Sequence, residues 1–363
     1  MTTPRLSPLF DALLAEKGSD LHLSIGHPPL GRIRGELTPL REAPLTASEV
    51  EALLFELLSP EQKHQLTEAM DLDFSYSYGT KARFRANCFH KVTGLAAVFR
   101  PLPGKVPSLA ELSVPEAVRK LAERRGGLVL VTGPKGSGRS TTLAAMVHHI
   151  NQTRHVHILT LEEPVEFIHE PAKAQVTQRE VGPHAASFAA ALRSAEREDA
   201  NVVHVGELCT PETIRQALEL ADAGVLVLAS AHTLGASATI ERLLSAFPEE
   251  EQPGIRGRLA DNLAGILSQQ LVRTADGKGR VVAMEVLLGG GAIAALIREG
   301  NLSPLAGKSQ PLDQHLEKLV AAGTVAPEAA LEKAQDREAF TKTLQRLKPG
   351  FVPPATSTPV PQS

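Results

Sequence analysis

Apolar positions change their spacing near residue 105, and that change divides the chain. Before it they alternate with polar ones in short runs. Residues 72–77 and 82–89 have the period of half-buried strands, and 96–100 reads as a third. Residues 21–24 and 30–37 read as two more strands, around the turn Gly26-His27-Pro28-Pro29. A short helix is expected over 6–17. Two further helices are marked by their first residues. Thr46 with Glu49 forms a capping box, and Ser59-Pro60 puts proline at the first helical position.

Beyond the proline-rich stretch from Pro101 to Pro107 the rhythm becomes strand, helix, strand, helix. Strands are expected over 128–132, 156–161, 202–205 and 225–230. Helices are expected over 141–150, 187–197, 211–221 and 238–246. That alternation predicts an α/β fold, a mainly parallel sheet with helices on its faces. Helical patterns resume at 312–321 and 327–339, and Pro, Ser and Thr dominate the end. The expected organisation is a small α/β N-terminal domain over 1–103, a linker over 104–112, a larger α/β domain with a C-terminal helical part over 113–346, and a disordered tail over 347–363.

Composition narrows the class. Hydrophobic residues make up 42%, enough for sizeable cores, but aromatics are 4% and Trp is absent, so the cores must be aliphatic. A net charge of −3 gives no reason to expect a nucleic-acid partner. Cys88 and Cys209 support neither a disulfide framework nor a four-cysteine zinc module. Residues 1–17 hold no apolar run of signal-peptide length, and a cytoplasmic protein is expected.

The sharpest chemical signal is Gly133-Pro134-Lys135-Gly136-Ser137-Gly138-Arg139-Ser140-Thr141, between a buried-strand run and a helix. It is a phosphate-binding loop in which glycines let backbone N–H groups converge on phosphate oxygens and the helix N-terminus adds its dipole. Ser140 would put its hydroxyl on Mg²⁺. Arg139 stands where such loops carry lysine. A guanidinium is bulkier and planar, so it can bind phosphate yet displace the γ-phosphate or Mg²⁺. The expectation is weakened ATP binding with slow or absent hydrolysis. Lys135 is either a second cation near the phosphates or a solvent-facing loop lysine. Three polar strand ends follow: Glu162-Glu163-Pro164-Val165-Glu166 after 158–161, Glu207 after 202–205 and His232 after 225–230. They suit a water-polarising carboxylate, a carboxylate holding Mg²⁺ through water, and a γ-phosphate sensor. His204, inside an apolar strand, reads as a satisfied core histidine. His148, His149, His155 and His157 read as surface or interface residues and not as a metal site.

These segments resemble the type IV pilus retraction ATPases (the PilT group). Residues 128–142, LVLVTGPKGSGRSTT, look like their Walker A segment, and ILTLEEPVEFIHE at 158–170 looks like their Asp box. VVHVGE ending at Glu207 resembles their atypical Walker B, AHT around His232 their His box, and AIAALIRE at 292–299 their C-terminal motif. SDLHLSIGHPPLGRIRGEL, near the start, is similar to their PAS-like N-terminal domain. The resemblance implies a RecA-like P-loop NTPase domain behind a PAS-like domain, in a homo-hexameric ring that uses ATP and Mg²⁺. It implies that Glu166 is the catalytic glutamate, Glu207 the Walker B glutamate and His232 the His-box histidine. It further implies that Arg83, Arg85 and Arg100 approach a neighbouring subunit's phosphates. The implied partners are an inner-membrane pilus platform protein and a paralogous ATPase. Departures are Arg139, Thr93, Val225, Leu208-Cys209-Thr210, Ala294 and Ala295, and they point to lowered turnover or a changed partner. A non-hydrolysing, nucleotide-binding accessory subunit is the alternative.

Overall fold

The structure, a computed structural model, describes residues 4–354. They form two compact units. One is built on the chain up to Lys105 together with Pro164–Ile168; the other takes Val106 to Glu163 and the chain from His169 onward. The chain thus leaves the second unit for five residues, an excursion no composition shift marks.

The first unit runs α1 (Ser7–Ala15), β1 (Leu21–Ser24), β2 (Leu30–Ile33), β3 (Glu36–Pro39), α2 (Ala47–Phe55), α3 (Pro60–Ala69), β4 (Asp71–Tyr78), β5 (Ala82–Lys91) and β6 (Gly94–Leu102). Its antiparallel sheet has the order β3-β2-β1-β6-β5-β4. The strand expected over 30–37 is in fact a hairpin. Arg34 at φ 51° and Gly35 at φ 95° make its two-residue turn. The expected capping box of Thr46 with Glu49 forms, and α3 starts at the expected proline behind a second box, Ser59 with Gln62. Alternation along β5 buries Phe84, Ala86 and Cys88 and leaves Arg83 and Arg85 on the opposite face. Phe10 of α1 fills the centre of this core, with ring centroids 4.2 Å from Phe84 and 5.2 Å from Phe99. Tyr76 and Tyr78 of β4 complete the aromatic cluster around it.

The second unit begins with α4 (Glu116–Ala122), β7 (Gly127–Thr132), α5 (Arg139–Thr153), β8 (His157–Glu162), β9 (Gln175–Glu180), α6 (Phe188–Ala195), β10 (Val202–Val205), α7 (Pro211–Asp222), β11 (Leu226–Ala231) and α8 (Ala236–Ser245). It continues through α9 (Gln252–Asn262), β12 (Leu263–Arg273), β13 (Arg280–Leu288), α10 (Gly291–Glu299), α11 (Leu312–Ala321), α12 (Pro327–Leu331) and α13 (Arg337–Leu347). The sheet order is β13-β12-β7-β11-β10-β8-β9, parallel throughout except for the edge strand β13. One face packs on α4 and α5, and the other on α6 to α10. The two cores of this unit are mainly aliphatic, whereas the first unit, against the expectation, is centred on an aromatic cluster. Val129, Leu130, Val131, Val203, Val205, Val227 and Leu228 are all fully buried.

The hydrophobic pattern missed β9, α9, β12 and β13. It also ran α12 and α13 together. Asp313 breaks that run by accepting from the backbone N–H groups of Gln335 and Asp336, and the Asp336 side chain then caps α13. Within the expected tail, Leu347 still closes α13, and both it and Phe351 pack on the cluster around Leu316. Residues 355–363 of that tail lie outside the described residues. No helix among the described residues is long and apolar enough to cross a membrane.

Candidate nucleotide-binding site

The phosphate loop leaves the buried strand β7 at Thr132 and enters α5 at Arg139, two residues before the expected helix start. Gly133 has φ 146°, and a Cβ there would sit 2.3 Å from the Gln269 carbonyl oxygen and 2.6 Å from Ser137 Oγ. No side chain fits. Gly138 caps α5 in the left-handed conformation at φ 89°, turning the loop into the helix. Gln269 of β12 is fully buried, and its Nε2 donates to the Ser137 carbonyl oxygen at 2.7 Å. Sequence reading gave no hint of this brace, because it comes from 132 positions downstream. Thr132 Oγ1, Ser137 Oγ, Thr142 Oγ1 and Gln269 Oε1 are buried without a protein partner. Buried hydroxyls normally have one. The three unspent hydroxyl donors beside a glycine turn and a helix N-terminus fit a polyphosphate, whereas Gln269 Oε1 can only accept.

Pro134, Lys135 and Gly136 are exposed at the tip of the loop. Ser140 and Thr141 lie half-buried in the first turn of α5. A cleft of about 990 Å³ opens beside that turn, lined by Gly138, Thr141, Leu271, Arg273 and Arg280 among others. Its basic residues come from the β12–β13 hairpin, which the sequence pattern missed.

Arg139 does not project into solvent. Its Nη1 donates to the carbonyl oxygen of Gly133 and, at 3.3 Å, to that of Ala231, the last residue of β11. Its Nη2 lies 3.1 Å from His232 Nε2, which lies 3.3 Å from Glu207 Oε1. The guanidinium thus ties the loop to two strand ends. The single nitrogen Nε2 faces a permanent donor and a permanent acceptor. While it accepts from Arg139 it cannot donate to Glu207. Behind this chain lies a small hollow of about 110 Å³ lined by Glu207, Cys209, His232 and Arg242.

The loop residues, Glu207 and His232 therefore come together in the second unit, as the order of strands requires. Glu166 belongs to Pro164–Ile168 and so to the first unit, with Arg83, Arg85 and Arg100. Of the neighbouring acids, Glu162 is buried and accepts from Thr160 Oγ1 at 2.7 Å.

His204 corrects an expectation. It is buried in β10, but neither ring nitrogen has a hydrogen-bond partner, and the carboxylate of Glu162 stands 3.9 Å away. Burial pushes its pKa down to about 4. His169 is lowered to about 4 as well, by burial first and then by His204 and His148. Among the described residues no cluster of His, Cys, Asp and Glu could hold a metal ion by itself.

A glycine cradle after the first strand of a parallel sheet, with polar groups at the neighbouring strand ends, defines a RecA-like P-loop nucleotide-binding protein. The model of the type II/IV secretion system protein family matches residues 70–322, and the chain belongs to that family. It is 43% identical over 338 residues to the type IV pilus retraction ATPase PilT of Pseudomonas aeruginosa, covering 91% of this chain and 98% of that one. It is 42% identical over 321 residues to a twitching motility protein of Neisseria gonorrhoeae, covering 86% of each. A crystal structure of the pilus retraction motor PilT with bound ADP superposes with a TM-score of 0.84 at 39% identity, over 92% of this chain and 98% of that chain.

Proposed function

We propose that this protein is an ATP-driven motor of the type IV pilus that works by retraction, with turnover held low by Arg139. The observation that carries the reading is the glycine-lined loop at 133–141, braced by Gln269 and bridged to Glu207 and His232 through a guanidinium. Backbone N–H groups of the loop bind the polyphosphate of ATP, and the cleft beside α5 takes the nucleoside. Ser140, and Glu207 through water, would hold Mg²⁺, which neutralises charge on the phosphate oxygens. Glu166 orients the attacking water and takes its proton on a carboxylate oxygen. His232 reports the γ-phosphate to Glu207. The site is completed in a homo-hexamer, where Arg83, Arg85 and Arg100 of one subunit meet the phosphates of a neighbour. Work is delivered in the cytoplasm to a platform protein of the inner membrane, with a paralogous ATPase as a further partner.

Arg139 limits the rate because its guanidinium already has protein acceptors, Gly133 and Ala231, and must exchange them for phosphate. The same contacts favour a second reading, a subunit that binds ATP without hydrolysing it and acts beside an active paralogue. Phosphate release from the purified protein, beside Arg139→Lys and Glu166→Ala, separates the two. The motor reading expects slow release that lysine raises about 10- to 100-fold, the cost of a reacting group misplaced by about 1 Å. It expects Glu166→Ala to abolish release in both backgrounds. No release from the native chain selects the accessory reading. Equal rates for the native chain and the Arg139→Lys variant remove the proposed effect of the guanidinium.

A further inference from the structure

The first unit carries an ordered row of charge on the face of its sheet opposite the Phe10 core. Register places Arg100 directly across from Arg85, and Leu21 across from Phe99, so Asp20 falls beside Arg100. The backbone N–H of Arg32 donates to the Asp20 carbonyl oxygen at 2.8 Å, which adds Arg32 on the other side. The row across β2, β1, β6 and β5 therefore reads Arg32, Asp20, Arg100, Arg85, and Arg83 stands two residues along β5 on the same face.

Asp20 is 4% exposed, yet it is not neutralised by one partner alone. Its Oδ1 accepts from Arg100 Nε at 2.8 Å and Nη2 at 2.7 Å. Its Oδ2 accepts from Ser19 Oγ at 2.8 Å and lies 3.9 Å from Arg32 Nε. Nη1 of Arg32 is spent on the Gly35 carbonyl oxygen at 2.8 Å, which holds that side chain back in the β2–β3 hairpin. Arg100 is different. Its inner edge is held by a buried carboxylate, while 62% of its side chain is exposed and the outer edge of the fork faces away from Asp20. Asp20 restrains it, and Asp73 of β4 lies 3.9 Å from Arg85 Nε, so two carboxylates stand against the four arginines Arg32, Arg83, Arg85 and Arg100 and leave the row positive. Arg83 Nη1 in the same row is buried with no partner.

We infer that Asp20 is a positioning residue, holding Arg100 extended so that its outer N–H edge is presented to an anionic phosphate of a neighbouring copy of this chain. The inference rests on the proposed role of the N-terminal arginines. A free arginine loses much rotamer freedom on binding phosphate, and a guanidinium already fixed along one edge loses less. Asp20 acts only through Arg100 and touches no nucleotide.

The test is a double-mutant cycle on the full-length assembled protein, with Asp20→Asn, Arg100→Ala and the pair. Each is made in the native chain and in an Arg139→Lys background that supplies a measurable rate. Asp20→Asn keeps the shape and removes the charge. It is expected to lower kcat about 10-fold with KM changed less than 2-fold, an order of magnitude typical of lost orientation. The double variant is expected to be no slower than Arg100→Ala. Added guanidinium ion should partly restore Arg100→Ala only in chains that keep Asp20, a response that a merely structural aspartate would not produce. Multiplying effects in the double variant, or guanidinium rescue independent of Asp20, would overturn the assignment, as would an Asp20→Asn protein that turns over normally while Arg100→Ala is slow. An Arg100→Ala protein with normal turnover instead removes the reading of the N-terminal arginines itself. The melting temperature of each variant separates lost orientation from lost fold.

Discussion

His204 shows what a single side chain in the wrong solvent does. Both of its nitrogens are sealed in β10 without partners, and burial keeps the ring neutral down to about pH 4. Unfolding releases it to the ordinary value near 6.5. The folded pKa is the lower one, so the unfolded chain takes up the proton first as pH falls. Stability is therefore unaffected above about pH 6.5 and is lost progressively between 6.5 and 4, by on the order of 3 kcal/mol for one ring. His169, also near 4, adds to the same window. Leucine at position 204 should flatten part of that acid limb. It should also raise stability at neutral pH by about 1–3 kcal/mol, since an unpartnered buried polar group disappears. Urea unfolding at pH 4.5 and 7.5 measures both, and an unchanged acid slope would show that His204 titrates normally. Single-residue chemistry was partly legible in the sequence. The unbroken apolar run Val202, Val203 and Val205 around it announced the burial of His204. Whether a partner waited there depended on Glu162 stopping short, a matter of strand spacing that no local pattern encodes.

Elements that carry their own start signals were read well. The capping boxes at Thr46 and Ser59 and the glycine loop before α5 are local chemistry, written within a few residues. The hairpin at Arg34-Gly35 was missed because a non-glycine residue occupies a left-handed position. β12 was missed because it begins where α9 ends, with Leu263 closing the helix and opening the strand. That strand matters to the site, for it delivers Gln269 to the loop. Gln269→Leu retains the volume but drops the hydrogen bond to Ser137. It should weaken binding of a fluorescent ATP analogue roughly 10-fold, the worth of about 1.4 kcal/mol. Titration at fixed Mg²⁺ measures it. Binding as tight as in the native chain would mean that the loop holds its shape without the brace.

For the whole molecule, the hydrophobic period changes near residue 105 and the first unit takes the chain up to Lys105, but nothing in that pattern places Glu166 with it. A five-residue excursion carries no compositional mark, since Val165 and Phe167 look like any buried pair. Nucleotide is bound by the second unit in the proposed scheme, so it should stabilise that unit by mass action. At 100 times Kd the gain is about 2.7 kcal/mol. Calorimetry with and without MgATP should show a raised melting temperature that Gly133→Val abolishes, because no Cβ fits there. An identical shift in that variant would place ATP elsewhere.

The aromatic cluster around Phe10 has an optical consequence. Both tyrosines of the chain, Tyr76 and Tyr78, sit in it, and the chain has no tryptophan. Tyrosine emission from the native protein therefore originates wholly in the first unit, while the nucleotide-binding unit contributes none. Loss or gain of that glow on heating, or on adding ATP, follows the smaller unit without any label. A tryptophan placed in the other unit would light it separately.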